Sequence, residues 1–129
     1  MSHWQTHDIE NKVLAILRDE PYHAPEHHLG RPFLTAYQIA IEFAHRHPEV
    51  FTELGLPLGG LGTGKHNSLA QYLAGELSRR VKNRSIPVEG GFLSNWHLNG
   101  ITFGEDENIV TSSLTGTAFT LSMFRLRED

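Results

Sequence analysis

Four positive charges fall within six residues in the second half of the chain: Arg79, Arg80, Lys82 and Arg84. Side chains of this kind bind phosphate groups, so the run could contact a nucleic-acid backbone. Two structural explanations compete with that function. Cations near a helix C-terminus complement the helix dipole, and Glu76 could pair with Arg80 one helical turn away. The sequence leaves these interpretations open.

The glycine-rich segment 59–65 has the sequence GGLGTGK and satisfies the G-x-x-x-x-G-K spacing of a phosphate-binding loop. Bare backbone amides that lead into a helix N-terminus attract anions. His66, however, occupies the position where that motif needs a Ser or Thr hydroxyl for magnesium. The pattern therefore argues against a nucleoside triphosphatase and leaves either a turn-forming connector or a simple anion site. The residues predicted for that anion site are Gly62, Gly64, Lys65 and Asn67.

Nine histidines are many for a chain of 129 residues, but their spacing matches no metal-binding motif. Neither H-E-x-x-H nor H-x-E…C-x-x-C occurs, and the absence of cysteine excludes thiolate ligands and disulfides. The acidic run 105–107 suits a solvated turn and fits no calcium-binding loop. A G-x-S-x-G elbow is also missing. The sequence argues against an enzyme, and we expect no catalytic residue, metal or cofactor unless folding brings distant histidines together.

The composition is that of an ordinary globular protein, with 39% apolar and 20% charged residues. A chain of this length suits one domain spanning residues 1–129. Because no apolar run reaches the roughly 18–20 residues of a membrane span and the N-terminus lacks a signal pattern, we expect a cytoplasmic protein without membrane contact. The net charge of −4 argues against non-specific coating of nucleic acid, since such binding depends on neutralising phosphates.

The first half of the chain carries helical signals. Apolar residues recur at helical spacing over residues 8–18, which predicts a first helix. Thr35 and Gln38 form a capping box that predicts the start of a second helix. Pro48 and Gly55 would then bound one further short helix.

A third long helix is predicted to begin at Ser68, whose hydroxyl can cap it together with Gln71. One face of this helix is apolar and predicts core packing by Leu69, Ala70, Leu73, Ala74, Leu77 and Val81. The opposite face is polar, partly basic and low in profile around Gly75.

Beyond residue 84 the hydrophobic period changes to one typical of strands. β-Branched and aromatic residues predict strands at residues 86–88, 108–112 and 118–126. The dipeptide Asn99-Gly100, flanked by apolar residues, predicts a β-hairpin.

Three or four helices over residues 8–82, followed by antiparallel β-hairpins over residues 86–126, make an α+β fold. This order resembles a winged helix-turn-helix domain. In that family the third helix enters the major groove and the hairpin wing contacts the flanking backbone. The resemblance implies DNA binding by a regulator or a phage-type protein. The residues it assigns to the interface are Lys65, His66, Ser68, Gln71, Gly75, Ser78, Arg79, Lys82 and Arg84.

Three features depart from that family: a long link at residues 48–66, strands beyond residue 108, and an acidic candidate wing. Two other functions therefore stay open. One is a protein-interaction or homodimerisation module in which the strand at residues 118–126 is an edge that pairs with a partner. The other is a small ligand- or phosphate-binding protein that uses residues 59–68.

Overall fold

The computed structural model describes residues 2–59, 68–104, 109–111 and 121–128. Within these ranges helices and antiparallel strands combine in an α+β fold, as predicted. The helices are α1 (His3–Thr6), α2 (Ile9–Arg18), α3 (Ala36–Arg46), α4 (Pro48–Leu54) and α5 (Leu69–Asn83). The strands are β1 (Leu34–Thr35), β2 (Val88–Leu93), β3 (Thr102–Phe103), β4 (Val110–Thr111) and β5 (Leu121–Leu126). None of the described helices has both the length and the apolar character needed to cross a membrane.

Helices α2 and α3 form because each gathers its apolar side chains on one face. The residues that α2 buries are Ile9, Val13, Ile16 and Leu17, and those of α3 include Ile39, Ala40 and Phe43. The predicted capping box at the start of α3 is confirmed. Thr35 Oγ1 accepts a hydrogen bond from the Gln38 N–H at 3.3 Å, and Gln38 Oε1 accepts one from the Thr35 N–H at 2.8 Å.

The short helix α4 has both of its predicted limits. Pro48 begins it, at a position where a missing N–H costs nothing. Gly55 ends it with φ 65°, a left-handed conformation that glycine adopts without strain. The N-terminal helix α1 has no counterpart among the predicted helices, and its Trp4 is buried in the core.

A three-stranded antiparallel sheet joins distant parts of the chain in the order β1-β5-β2. Leu34 of β1 and Gly90 of β2 lie on either side of Phe124 in β5. A separate two-stranded sheet pairs β3 with β4, with Thr102 opposite Thr111. The larger sheet packs against α2 and α3 through β5.

The prediction that residues 118–126 supply an edge strand is wrong. The described part of that segment, β5, is the central strand of its sheet. Leu121 and Phe124 lie three residues apart, so they face opposite sides of the strand, and both are buried. Because β5 is covered on both faces, its backbone groups must be bonded on both sides, and β1 and β2 supply those bonds. The edge strands of the sheet are therefore β1 and β2, of which β2 is the longer.

The predicted hairpin at Asn99-Gly100 is also wrong. The chain turns earlier, where the Leu98 N–H donates to the Asn95 carbonyl at 3.0 Å and His97 has φ 64°. Trp96 would flank a paired strand if the prediction held, but it is 79% exposed. The antiparallel pair of this region is β3 with β4 instead, and the segment around Asn99-Gly100 forms no paired strands.

Candidate nucleic-acid interface

Helix α5 turns its leucines inward, as predicted. Leu69, Leu73 and Leu77 are buried together with Ala70, while Ala74 and Val81 are partly buried against the same core. Ser68 is a correction, because the resemblance assigned it to an exposed face. It is 6% exposed, and its Oγ accepts a hydrogen bond from the Gln71 N–H at 3.1 Å, so it caps the helix.

The opposite side of α5 carries an exposed row that we name the α5 stripe: Gln71, Gly75, Ser78 and Lys82. Spacings of four, three and four residues keep these positions on one face. The row spans roughly 16 Å at the helical rise of about 1.5 Å per residue. A Cβ added at Gly75 would meet open space, so the stripe is shallow at its centre.

Arg84 follows the last residue of α5 and forms its C-cap. It is exposed and adopts a left-handed conformation with φ 59° at the C-cap. Within the described ranges neither Lys82 nor Arg84 forms an ion pair. Both cations are therefore free to meet an anionic partner.

The two arginines that precede them, Arg79 and Arg80, are already paired, so Arg79, which the resemblance assigned to the interface, has an ion-pair partner within its own helix. Arg79 forms an ion pair with Glu76, and Arg80 Nη1 lies 2.5 Å from the same carboxylate. The guanidinium of Arg80 also covers the ring of Trp4, at 4.2 Å from its centroid. The structural explanation, an i, i+4 pair between Glu76 and Arg80, is confirmed.

The first amides of α5 are bonded within the fold. The Leu69 N–H donates to the Pro57 carbonyl at 2.7 Å, and the Ala70 N–H donates to the Leu58 carbonyl at 3.0 Å. Since the Gln71 N–H is held by Ser68, this helix N-terminus does not offer these donors to a phosphate.

The remaining predicted site residues, which are Gly62, Gly64, Lys65, His66 and Asn67, lie outside the described residues. The same holds for the acidic turn at residues 105–107. Gly59, at the near end of the glycine-rich segment, has φ 134°, and a Cβ there would lie 3.0 Å from the Ala70 side chain. Glycine is therefore needed at this position for backbone conformation and packing.

Tyr72 borders the α5 stripe on the side of α1, a neighbour that the sequence did not reveal. Its ring meets His3 edge-on at 6.3 Å. Burial, followed by the nearby carboxylate of Glu76, raises the pKa of the Tyr72 phenol. The phenol keeps its proton at neutral pH and remains a hydrogen-bond donor.

Three of the described histidines, His7, His23 and His45, each lie near one carboxylate, in separate places. The Nε2 atom of His7 lies 3.6 Å from Glu53, and that of His23 lies 3.7 Å from Glu128. In the part of the chain that the structure describes, no group of three or more His, Cys, Asp or Glu side chains could hold a metal ion.

A second concave surface lies beside the loop before β1, with a volume of about 580 Å³. Exposed Tyr22 and Leu29 line it together with Phe33 and Arg125. Arg125 Nη1 donates to the Leu29 carbonyl at 2.5 Å, and its Nε lies 2.5 Å from Glu89. Arg31, the other arginine of this lining, is paired with Glu128. Because the fold itself uses both cations, the cleft offers little attraction to an anion.

Comparison with protein-family models, curated proteins and solved structures finds no match to this chain. Its function must therefore be argued from the geometry of its surfaces.

Proposed function

We propose that this chain is a winged-helix-like DNA-binding domain that inserts the α5 stripe into the major groove. The observation that carries the proposal is the stripe itself, which joins exposed polar side chains to the unpaired cation Lys82. A second unpaired cation, Arg84, lies at the C-cap that follows. The connectivity supports it as well. The chain runs through α2, β1, α3, α4 and α5 before it reaches the antiparallel pair of β2 and β5. The short strand β1 pairs with the other side of β5.

The size and profile of α5 suit that role. A helix is about 10–12 Å across with its side chains, and the major groove is about 12 Å wide. The small residues Gly75 and Ser78 allow the helix backbone to approach the base edges. Gln71, in the first turn, has the side chain that pairs with adenine N6 and N7.

The charge distribution predicts a modest electrostatic contribution. Arg79 and Arg80 share the single carboxylate of Glu76, which offsets one of their two charges. Lys82 and Arg84, whose charges are unpaired, then provide most of the attraction to phosphate near the C-terminal end of α5. Binding should be weak on random DNA and should depend on a preferred sequence.

The direct test is selection of duplexes from a random pool by the wild-type chain, followed by fluorescence anisotropy over a range of salt concentrations. For the double variant Lys82→Ala/Arg84→Ala we expect weaker binding to every duplex. The slope of log K against log salt should fall by about two in magnitude, roughly one per lost phosphate contact.

Arg18→Ala is the matched control, because Arg18 is an exposed arginine at the end of a different helix, α2. It should leave both the affinity and the salt slope unchanged. A loss in the control of about half that in the double variant, in proportion to one charge removed against two, would mean that net charge alone governs binding. Failure to bind any duplex even at low salt would overturn the proposal.

Gln71→Ala separates base reading from phosphate contact. Loss of this side chain should reduce discrimination at one base pair by about 1–3 kcal/mol, while binding to unrelated duplexes stays nearly constant. A uniform loss on all sequences would assign Gln71 to the backbone instead.

The assembly module remains the second candidate, and one observation favours it. The sheet ends on β2, whose Phe92 is 70% exposed. Among the described residues nothing comparable favours a ligand site in residues 59–68, because the α5 amides there are already bonded.

A further inference from the structure

Strand β2 is an open edge of the three-stranded sheet. It has six residues, all of which pair with β5 on one side. No described residue hydrogen-bonds to its other side. Natural edges are usually protected by lysine, proline, a bulge or short length. β2 has none of these, and its one charged side chain, Glu89, is bonded to Arg125.

The register identifies which backbone groups point outward. The Arg127 N–H donates to the Pro87 carbonyl at 3.0 Å, in line with the pairing of Val88 with Leu126. Residues 87, 89, 91 and 93 therefore bond to the β5 side, since bonded residues alternate along an antiparallel pair. The N–H and C=O groups of Val88, Gly90 and Phe92 consequently face the open edge.

The same three residues share one face of the sheet. Side chains alternate along a strand, so Val88, Gly90 and Phe92 point to the side of Phe124, which lies opposite Gly90. Val88 is buried there and Phe92 is exposed. At Gly90 an added Cβ would lie 3.3 Å from the Phe124 ring. This position therefore favours glycine, and no side chain stands beside the backbone at the middle of the open edge.

We propose that two copies of this chain associate by antiparallel pairing of β2 with β2, on a two-fold axis that passes through Gly90. This centre is self-complementary. It places Gly90 of one copy opposite Gly90 of the other, and Val88 of one copy opposite Phe92 of the other. The backbone N–H and C=O groups of all three residues face the open edge. Up to about six backbone hydrogen bonds would form, and the two sheets would become one.

The exposed ring of Phe92 gains a partner in this arrangement. It would pack across the strand pair on Val88 of the other copy, at the end of the core face. A pairing centred on Gly91 would also bring outward-facing backbone groups together, but it would leave the ring of Phe92 opposite Gly90, which has no side chain to pack on. The Gly90 centre is favoured because it is the one that places Phe92 opposite Val88. The proposal does not depend on DNA binding and is tested without DNA.

Sedimentation or light scattering over micromolar to submillimolar concentrations should detect a dimer of the wild-type chain. Phe92→Pro should be monomeric, because it removes an outward N–H that makes no bond within the monomer. Phe92→Lys should raise the dimer Kd at least about tenfold by adding charge to the edge. Tyr22→Lys is the matched control, since Tyr22 is 84% exposed and lies in the loop before β1, the strand at the opposite edge of the sheet from β2. It should remain dimeric.

Cysteine cross-linking tests the register, and the chain has no cysteine of its own. Glu89 and Gly91 of opposite copies would face each other as a non-hydrogen-bonded pair, with Cα atoms about 4.5 Å apart, within disulfide range. The double variant Glu89→Cys/Gly91→Cys should form a covalent dimer under mild oxidation. Each single variant should form far less.

A wild-type chain that stays monomeric throughout the concentration range would overturn the proposal. So would a Phe92→Pro variant that keeps its dimer. If Phe92→Pro fails to fold, as circular dichroism would reveal, Phe92→Lys and the cross-linking result decide the question. Equal cross-linking of the single and double variants would refute the register centred on Gly90.

Discussion

The guanidinium of Arg80 lies 4.2 Å above the ring of Trp4, and this contact fastens α1 to α5. Trp4 is 4% exposed beneath it. The same guanidinium reaches the carboxylate of Glu76 at 2.5 Å and that of Glu10 at 4.0 Å. Arg80 is thus a structural residue, although it belongs to the basic run that the sequence presents as a phosphate-binding feature.

Neighbouring arginines should therefore differ in their effect on stability. Arg80→Ala should lower the free energy of unfolding by about 1–2 kcal/mol, because it removes a buried cation–π contact and the packing of the side-chain stem. Arg79→Ala should cost less than about 1 kcal/mol, since its pair with Glu76 is at the surface. Urea unfolding of both variants measures the difference, and equal losses would show that the Trp4 contact contributes nothing.

The two faces of α5 offer a second contrast. Leu73 has no exposed surface, so Leu73→Ala should destabilise the fold by about 2–5 kcal/mol. Ser78 lies on the exposed α5 stripe, and Ser78→Ala should stay within about 0.5 kcal/mol of wild type. Thermal and urea unfolding provide the measurement. A small loss at Leu73 would mean that α5 is rotated relative to its core.

Local signals in the sequence predicted local structure well. The inward face of α5 follows from the spacing of its leucines, and the start of α3 follows from Thr35 and Gln38. Both depend on residues within a few positions of one another, where helical geometry leaves little choice. The α+β class follows from the change of period near residue 84.

Long-range pairing could not be predicted in the same way. β5 is central because Leu34 pairs with Phe124 across most of the chain, and no local pattern encodes that partner. The prediction of a hairpin at Asn99-Gly100 was wrong because this dipeptide forms a hairpin turn only where the segments before and after it can pair as strands. The contact of Arg80 with Trp4 could not be predicted either, because Trp4 lies more than seventy residues earlier in the chain.

The capping box of α3 provides a third prediction. Thr35 is 6% exposed, and its hydroxyl holds the Gln38 N–H. Thr35→Ala should cost about 1–2 kcal/mol of stability, whereas Thr35→Ser keeps the hydroxyl and should recover most of the loss. Chemical unfolding distinguishes the two variants. If Thr35→Ser is as unstable as Thr35→Ala, the methyl group rather than the cap is what matters.

His47, between α3 and α4, makes stability depend on pH. Burial is the main reason that its pKa is lowered from the ordinary value of about 6.5, and the cations Lys12 and Arg46 add to the effect. Unfolded His47 therefore takes up a proton at higher pH than folded His47. The neutral imidazole of His47 therefore contributes its full stability above about pH 6.5, the ordinary pKa of the unfolded state. This stability is lost as the pH falls from there toward the lower pKa of the folded state.

We expect His47→Asn to flatten the fall in unfolding free energy between pH 7 and pH 5, because the variant has no imidazole to protonate. Lys12→Met should raise the pKa of His47 toward its ordinary value, since it removes one of the neighbouring cations. Urea unfolding at several pH values measures the first effect, and NMR titration of the imidazole measures the second. A wild-type pH slope in His47→Asn, together with a His47 pKa that Lys12→Met does not move, would assign the acid sensitivity to other groups.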